Sequence, residues 1–359
     1  MKRNPTSFRP FHGLLLCMLS VLAPLCAVAG TEIINGHNGL SNSVVYAVAK
    51  DGRGLMWIGT RNGLHIYDGY SFSKPFRELA NLSVTHLVAD NDQQRVWVGT
   101  EKGLYVVLTE KGAVRPILDP PRQDSEVSAV LWRPGGGLYA AYRNGEIIYV
   151  DSTYQKRHIT TLAGDGRNPR FISDIVYDSD SSLIVNVKDG LGICRLFLKD
   201  ARLEDILVNG EKIIPSWLKG YGDTVMVGGF KMNLRLLDKR NWSDITPALL
   251  SGSVGREYDR CDAEKFGNLL YVIHLDQGSG FTKHFSIRLD EQKIDTVYQR
   301  NYDSDKGWRV NNCIFRDETG IVWIGSENGL VKVTEDRRLF ERILYNETPR
   351  ATLRAIIRD

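Results

Sequence analysis

Trp57-Ile58-Gly59-Thr60-Arg61-Asn62-Gly63-Leu64 returns 266 residues later as Trp323-Ile324-Gly325-Ser326-Glu327-Asn328-Gly329-Leu330. A third copy, Trp97-Val98-Gly99-Thr100-Glu101-Lys102-Gly103-Leu104, follows the first by 40 residues. Units of about 40 residues have the length of four-stranded propeller blades, so the period sets the fold class before any single residue does.

Around the first copy the pattern is that of short strands and tight turns. Val44 to Ala49 is an apolar run, Asp51-Gly52-Arg53-Gly54 a turn, Leu55 to Gly59 a second strand, Leu64 to Tyr67 a third, and Phe72 to Phe76 supplies a fourth. Asn62-Gly63 between two apolar strands predicts a type I′ hairpin with positive φ at both residues. The same turn recurs at Lys102-Gly103, Asn144-Gly145, Asp189-Gly190 and Asn328-Gly329. Measured from it, the place of Trp57 is taken in turn by Trp97, Tyr139, Ile184, Met226, Tyr271 and Trp323, at spacings of 40, 42, 45, 42, 45 and 52. Seven units result, and the expected fold is an all-β, seven-bladed propeller of four-stranded antiparallel blades. A twisted four-stranded sheet must bury both faces, and radial packing does so while leaving only short edges. Trp57, Trp97, Tyr139, Tyr271 and Trp323 are accordingly assigned to the blade core.

The first 29 residues read as a secretory signal peptide: Lys2, Arg3 and Arg9 precede an apolar run from Leu14 to Leu25, and Ala27-Val28-Ala29 offers small residues for cleavage. The run is shorter than the roughly 20 residues that span a bilayer, which disfavours a retained anchor. Leu25 before Cys26 disfavours a lipid anchor. The propeller is placed at residues 30–345, with Glu32 to Asn35 available to close the ring beside the last blade and Leu339 to Tyr345 as a further outer strand. Residues 346–359 align with Val44 to Asp51 and are either the start of another repeat or a ring-closing tail. The expected location is periplasmic or secreted.

Without the leader, 43 basic residues face 43 acidic ones, so no basic stripe points to nucleic acid as a partner. Cys194, Cys261 and Cys313 remain. Cys261 and Cys313 each lie ten residues before their unit's central aromatic, a placement open to a disulfide between them or to two reduced thiols. Equivalent sites on neighbouring blades exceed the Cα separation of about 4.4–6.8 Å that a disulfide requires, which favours the thiols. No Cys or His spacing suits zinc, and neither a metal nor a cofactor is expected.

The string Asn38-Gly39-Leu40-Ser41-Asn42-Ser43-Val44, followed by Asp51, Gly54, Trp57-Ile58-Gly59-Thr60, Gly63-Leu64 and Tyr67-Asp68-Gly69, resembles the two-component regulator propeller repeat. Units one, two and seven carry the match, and units three to six retain the hairpin or scattered glycines. The resemblance implies an extracytoplasmic sensory input module of a receptor with a kinase or other output domain, in some relatives for carbohydrate. Neither a phospho-accepting histidine motif nor a glycine-rich nucleotide segment follows these repeats, so the output is expected from further sequence or from a membrane-bound signalling partner, with a homodimer as the other expected assembly.

Propellers bind ligands where the loops leading into each innermost strand meet the hairpins between second and third strands. Those positions make Asn42, Arg61, Arg143, Lys188, Arg256, Trp308 and Arg309 the candidate ligand-binding residues, for a small molecule or an oligosaccharide. Trp308 beside Arg309 joins an aromatic face to a fork of donors; Trp217 and Trp242 also fall outside the core position. A secreted protein-binding scaffold is the second reading, and a propeller lyase or hydrolase the third. The six histidines beyond the leader, His37, His65, His86, His158, His274 and His284, show no repeated ligand spacing, and His65 and His86 are expected to flank strands. Asp51, Asp317 and Asp359 recur at one point of the repeat and are assigned to turns.

Overall fold

The computed structural model describes residues 30–117, 125–133, 136–164, 170–188, 190–229, 232–251, 260–276, 281–291, 293–301 and 311–334. The leader, the strand expected at 339–345, the tail at 346–359, Asp359, and the site candidates Arg256, Trp308 and Arg309 lie outside the described residues. Among the described residues seven antiparallel sheets of three or four strands follow one another along the chain, making a seven-bladed propeller, with a two-stranded ribbon of Leu207–Val208 and Glu211–Lys212 between the fourth and fifth in sequence. Their innermost strands are Val45–Lys50, Val84–Asp90, Val127–Arg133, Ile172–Ser179, Trp217–Tyr221, Arg260–Phe266 and Asn311–Arg316, here blades 1 to 7. Blade 5 has three strands among the described residues, with one bridge from Leu237 to Asp244 in place of a fourth. The strand Gly30–Ile34 pairs antiparallel with Gly329–Thr334 and is the outer strand of blade 7, so the front of the chain closes the ring.

Each gap between blades holds one hydrophobic cluster, and each cluster contains the same repeat position. Trp57 packs with Val84, Val96 and Val98 of blade 2. Trp97 meets Leu138, Ala140 and Tyr142 of blade 3, and Tyr139 meets Leu183 and Val185 of blade 4. Ile184, Met226 and Tyr271 serve the next three gaps. Trp323 closes the circle against Val45, Met56 and Ile58 of blade 1. The aromatics are 0 to 4% exposed, because side chains alternate across a strand and both faces of a second strand meet a neighbour. Phe76, expected at the end of a fourth strand, instead stacks on Trp57 with ring centroids 5.6 Å apart, and that strand is only Phe72–Ser73.

The glycine two residues after the aromatic has a steric cause. A Cβ on Gly59 would lie 2.7 Å from Val84 Cγ1 and 2.9 Å from the Val84 carbonyl; on Gly325 it would lie 2.9 Å from Val45 Cγ1. The next blade's inner strand leans on that bare backbone. Bulges at Tyr46, Thr85, Ser128, Ser173 and Asn312 punctuate five inner strands. From them Thr85 Oγ1 donates to the Val127 carbonyl at 3.2 Å, Ser128 Oγ to Ile172 at 2.6 Å and Asn312 Nδ2 to Val45 at 2.8 Å, each on the next blade.

The bulge in blade 7 also corrects the cysteine comparison: Cys313 pairs with Gly325 but Cys261 with His274, one place further on, so the two hold different register positions. Cys313 and Cys194 are free thiols. The hairpins differ from expectation as well. Gly63, Gly103 and Gly329 take φ of 104°, 120° and 130°, while Asn62 and Asn328 are not left-handed. Thr60 explains this: its hydroxyl donates to the Gly63 carbonyl at 2.9 Å and accepts the Asn62 N–H at 3.1 Å, holding a turn followed by a left-handed glycine rather than a type I′ pair. Thr100 and Ser326 repeat the arrangement.

Asp51 and Asp317 close the turns before the second strands. Asp51 accepts the N–H groups of Arg53 and Leu55 and the Trp57 indole at 3.0 Å; Asp317 does the same for Thr319, Ile321 and Trp323. A Trp57→Ala variant should lose about 3–5 kcal/mol, and Gly59→Ala about 1–3 kcal/mol through overpacking against Val84. Urea unfolding monitored by circular dichroism checks both.

Candidate functional site

The upper face, defined by the hairpins between second and third strands, gathers the predicted rim positions. The backbone N–H groups of Arg61, Arg143 and Lys188 donate to the carbonyls of Val44, Glu126 and Phe171, each the residue leading into the same blade's inner strand. Hairpin and lead-in loop therefore sit side by side on blades 1, 3 and 4. Their side chains are unequally available. Asn42 Oδ1 accepts the Val44 N–H at 2.8 Å. Arg143 pairs with Glu126 at 3.0 Å and lies 5.0 Å over the Phe171 ring. Lys188 Nζ donates to the carbonyls of Ser216 at 2.9 Å and Pro215 at 3.3 Å. The guanidinium of Arg61 is exposed and forms no hydrogen bond or ion pair with a described residue.

Below that rim, residues of blades 2 to 6 line an open chamber of about 630 Å³ in the central channel. It runs from Ser173 and Asp174, near the upper end of blade 4, down to Gly222 and Asp223 in the lower turn of blade 5. The volume falls within the range of about 300–1,000 Å³ common for small-ligand sites. Inner strands lean on one another, so their alternate residues have only the channel to face, and polar side chains there keep contact with water.

The polar wall is built from adjacent blades. Lys219 of blade 5 donates to Asp262 at 3.3 Å, to the Ala263 carbonyl at 2.8 Å and to Glu264 at 2.9 Å, all on blade 6. Tyr221 donates to the other Glu264 oxygen and accepts the Lys265 N–H at 3.2 Å. Burial works against the Lys219 charge, yet Asp262 and Glu264 outweigh it and hold the ammonium protonated well above the usual lysine range. Burial, with the Glu264 charge, raises the Tyr221 phenol.

On blade 4, Asp174 accepts the Ser173 hydroxyl at 2.7 Å and the Asn186 amide at 3.0 Å. Burial raises its carboxyl against those two bonds. The Asn186 amide also reaches the Pro215 carbonyl at 3.1 Å, the acceptor it shares with Lys188, so rim and channel touch at this point. Burial lowers the Lys188 ammonium, opposed by Asp174.

His65 and His86 depart from their expected places. His65 is a buried third-strand residue of blade 1 whose Nε2 accepts the Ser41 N–H at 3.0 Å, and burial together with the Lys74 charge pushes it down to about 4. His86 lines the chamber, with Nδ1 3.0 Å from Thr85 Oγ1, and its enclosure also holds it at about 4. Trp242 joins the cluster between blades 4 and 5, and Trp217 packs beside that between blades 5 and 6. No group of three or more His, Cys, Asp or Glu among the described residues is placed to hold a metal ion. The chamber residues escaped the sequence reading, although alternation in first-strand runs, Lys219 with Tyr221 and Asp262 with Glu264, carries the signal.

Residues 39–62, from the lead-in loop through the hairpin of blade 1, match the family described as two component regulator propeller. The resemblance read from the repeat is met there. The fold is similar to an extracellular domain assigned to a hybrid two component system from B. thetaiotaomicron, at 18% identity and a TM-score of 0.63, covering 85% of this chain and 42% of that one. A second such domain from the same organism gives 13%, 0.62, 85% and 42%. Streptogramin B lyase gives 14% and 0.60, covering 86% of this chain and 99% of its own. The chain thus spans less than half the length of the two B. thetaiotaomicron domains, and likeness at this identity concerns the fold. No curated protein matches the chain in sequence. No helix among the described residues is long and apolar enough to cross a membrane.

His65, His86 and His284, the last 3.0 Å from the Tyr271 hydroxyl and also held at about 4 by burial, stay neutral in the fold down to that pH. Unfolded, they protonate near 6.5. The unfolded chain then binds more protons between about pH 6.5 and 4, so stability rises with pH across that window and is lost as pH falls through it. Asp174, raised by burial, acts in the opposite sense as pH rises towards its folded value. Urea midpoints should drop between about pH 7 and about pH 4.5, and a His284→Gln variant should show a shallower drop.

Proposed function

We propose that the chain is an extracytoplasmic ligand-sensing propeller, the input module of a two-component type receptor, with carbohydrate as its ligand class. The observation that carries this reading is the two component regulator propeller match over residues 39–62, on the blade whose lead-in loop and hairpin form part of the upper rim. The chamber supports it, offering a solvent-open concavity with polar and apolar walls below that rim. Ligand enters past the upper rim, where Arg61 presents an uncommitted guanidinium, and Asn42, Arg143 and Lys188 shape the approach.

The protein acts as a binding module. In the chamber wall Lys219, Tyr221, Ser173 and Asp174 are engaged with one another or with neighbouring blades, an arrangement suited to a preorganised binding wall. The signal passes to an output domain on a partner or on further sequence, and the ligand acts by its differential affinity for two arrangements of the propeller in that assembly.

A thermal-shift series with mono- and oligosaccharides, organic acids, amines and divalent metals tests this. A ligand specific for the native state stabilises by RT ln(1 + [L]/Kd), about 2.7 kcal/mol at a hundred times Kd. A saturable rise in Tm with a saccharide is expected. A folded protein that responds to no small molecule contradicts the sensor reading, and a response confined to metals points instead to metal-dependent chemistry.

A further inference from the structure

Blades 5 and 6 are joined differently from their neighbours. The inner strands of blades 1 and 2, 3 and 4, 4 and 5, and 7 and 1 run in extended contact, whereas those of blades 5 and 6 barely touch. The close approaches agree. A Cβ on Gly59, Gly99 or Gly325 would meet Val84, Val127 or Val45 of the following blade, and one on Gly220 would meet Val176 of blade 4. At Gly228, where blade 6 would lean, the nearest atoms belong instead to Trp217 of its own blade, 2.6 Å from such a Cβ. Neither Trp217–Tyr221 nor Arg260–Phe266 carries a bulge. The short bonds that tie Thr85, Ser128 and Asn312 to the next blade have no counterpart between these two strands.

Long side chains span the gap instead. Trp217, Lys219 and Tyr221 alternate along the blade 5 inner strand and so share the face turned towards blade 6. Trp217 and Tyr221 pack beside the cluster between the two blades, with Lys219 Nζ 5.2 Å from the Trp217 ring. Lys219 ends on Asp262, Glu264 and the Ala263 carbonyl, and Tyr221 on Glu264 and the Lys265 N–H. A lysine reaches its partners through four methylenes where Ser128 uses one, so the two backbones stand apart. The charged side chains are 15 to 26% exposed, and Lys219 and Glu264 line the chamber, so water reaches them. The ammonium therefore has two places to be: between the carboxylates, or in the water of the chamber.

From this we propose that the gap between blades 5 and 6 is the seam at which the ring opens, with Lys219 as its latch across Asp262 and Glu264. Releasing the latch leaves no close backbone contact to hold the two inner strands, so opening stays local, whereas elsewhere the leaning of valine on glycine resists it. Lys219, Tyr221 and Glu264 also line the chamber, so a guest that engages them acts on the seam directly. The role of the seam in signalling rests on the ligand-sensing reading, to which it adds the two arrangements between which a ligand chooses.

Native-state hydrogen exchange of the full exported chain, read by mass spectrometry and corrected for intrinsic rates, tests this. Trp217–Tyr221 and Arg260–Phe266 should exchange at least about tenfold faster than Val45–Lys50 and Val84–Asp90. In Lys219→Met, which keeps an unbranched stem and removes the charge, the first two strands should speed up about tenfold more while the other two stay within about twofold. Tyr221→Phe, which removes only the hydroxyl, should act in the same place and direction if Lys219→Met does not fold. Thr85→Val removes the corresponding bond between blades 2 and 3 and should open nothing there, since Val127 still leans on Gly99. Equal protection of all four strands in the parent would overturn the proposal. So would a Lys219→Met variant that speeds every blade alike, or a Thr85→Val variant that opens blades 2 and 3 as far as Lys219→Met opens blades 5 and 6. Each of these results would leave the ligand-sensing reading to its own thermal-shift series.

Discussion

The contact on which this molecule depends is the leaning of each inner strand on the backbone of the preceding blade. At Gly59 and Gly325 the approach is so close that a single added carbon would meet the neighbour's valine. Only there can the large residue two places earlier drive its ring into the wedge between blades, because its neighbour arrives within van der Waals reach. The motif is therefore one device: an aromatic to fill the gap, a glycine to let the gap close, and a threonine or serine to hold the hairpin. Seven such gaps must close together, which is why Trp323 finds its partners at Val45 and Met56 at the other end of the repeat array.

The functional geometry follows from where the device is relaxed. Blades 1, 2 and 7 keep the motif and are packed by it. In blade 4 the glycine position carries Asn186, which reaches Asp174 and the approach to blade 5. In blade 5 Gly228 remains, but Trp217 is the side chain that sits against it. The chamber lies mainly along blades 3 to 6, where the repeat is weakest as a string and individual polar residues replace generic packing. Lys219 spans blades 5 and 6 in the same way that the bulge hydroxyls span blades elsewhere, joining ring integrity to the chemistry of the wall.

Much of the fold was legible because strand packing imposes a fixed period on large apolar residues. Trp57, Trp97 and Trp323 announce the unit; Ile184 and Met226, neither aromatic, still fall at its spacing and fill their own gaps. The turn aspartates were legible for a local reason, since Asp51 and Asp317 bond to groups within six residues of themselves. The hairpin geometry was misjudged because Thr60, which selects it, acts through its side chain rather than through the Asn-Gly pair. The channel residues went unread because Lys219 and Glu264 are 45 residues apart and ordinary in composition.

The sequence by itself determined the class of the fold, the number of units and the residues between blades, since those depend on spacing along one chain and on the size of side chains at fixed intervals. Tertiary structure alone decided which polar groups would share the channel and which donors would be spent there. Those outcomes arise from contacts between strands that only ring closure brings together, and a hydrogen bond has no meaning in sequence until both partners have been placed.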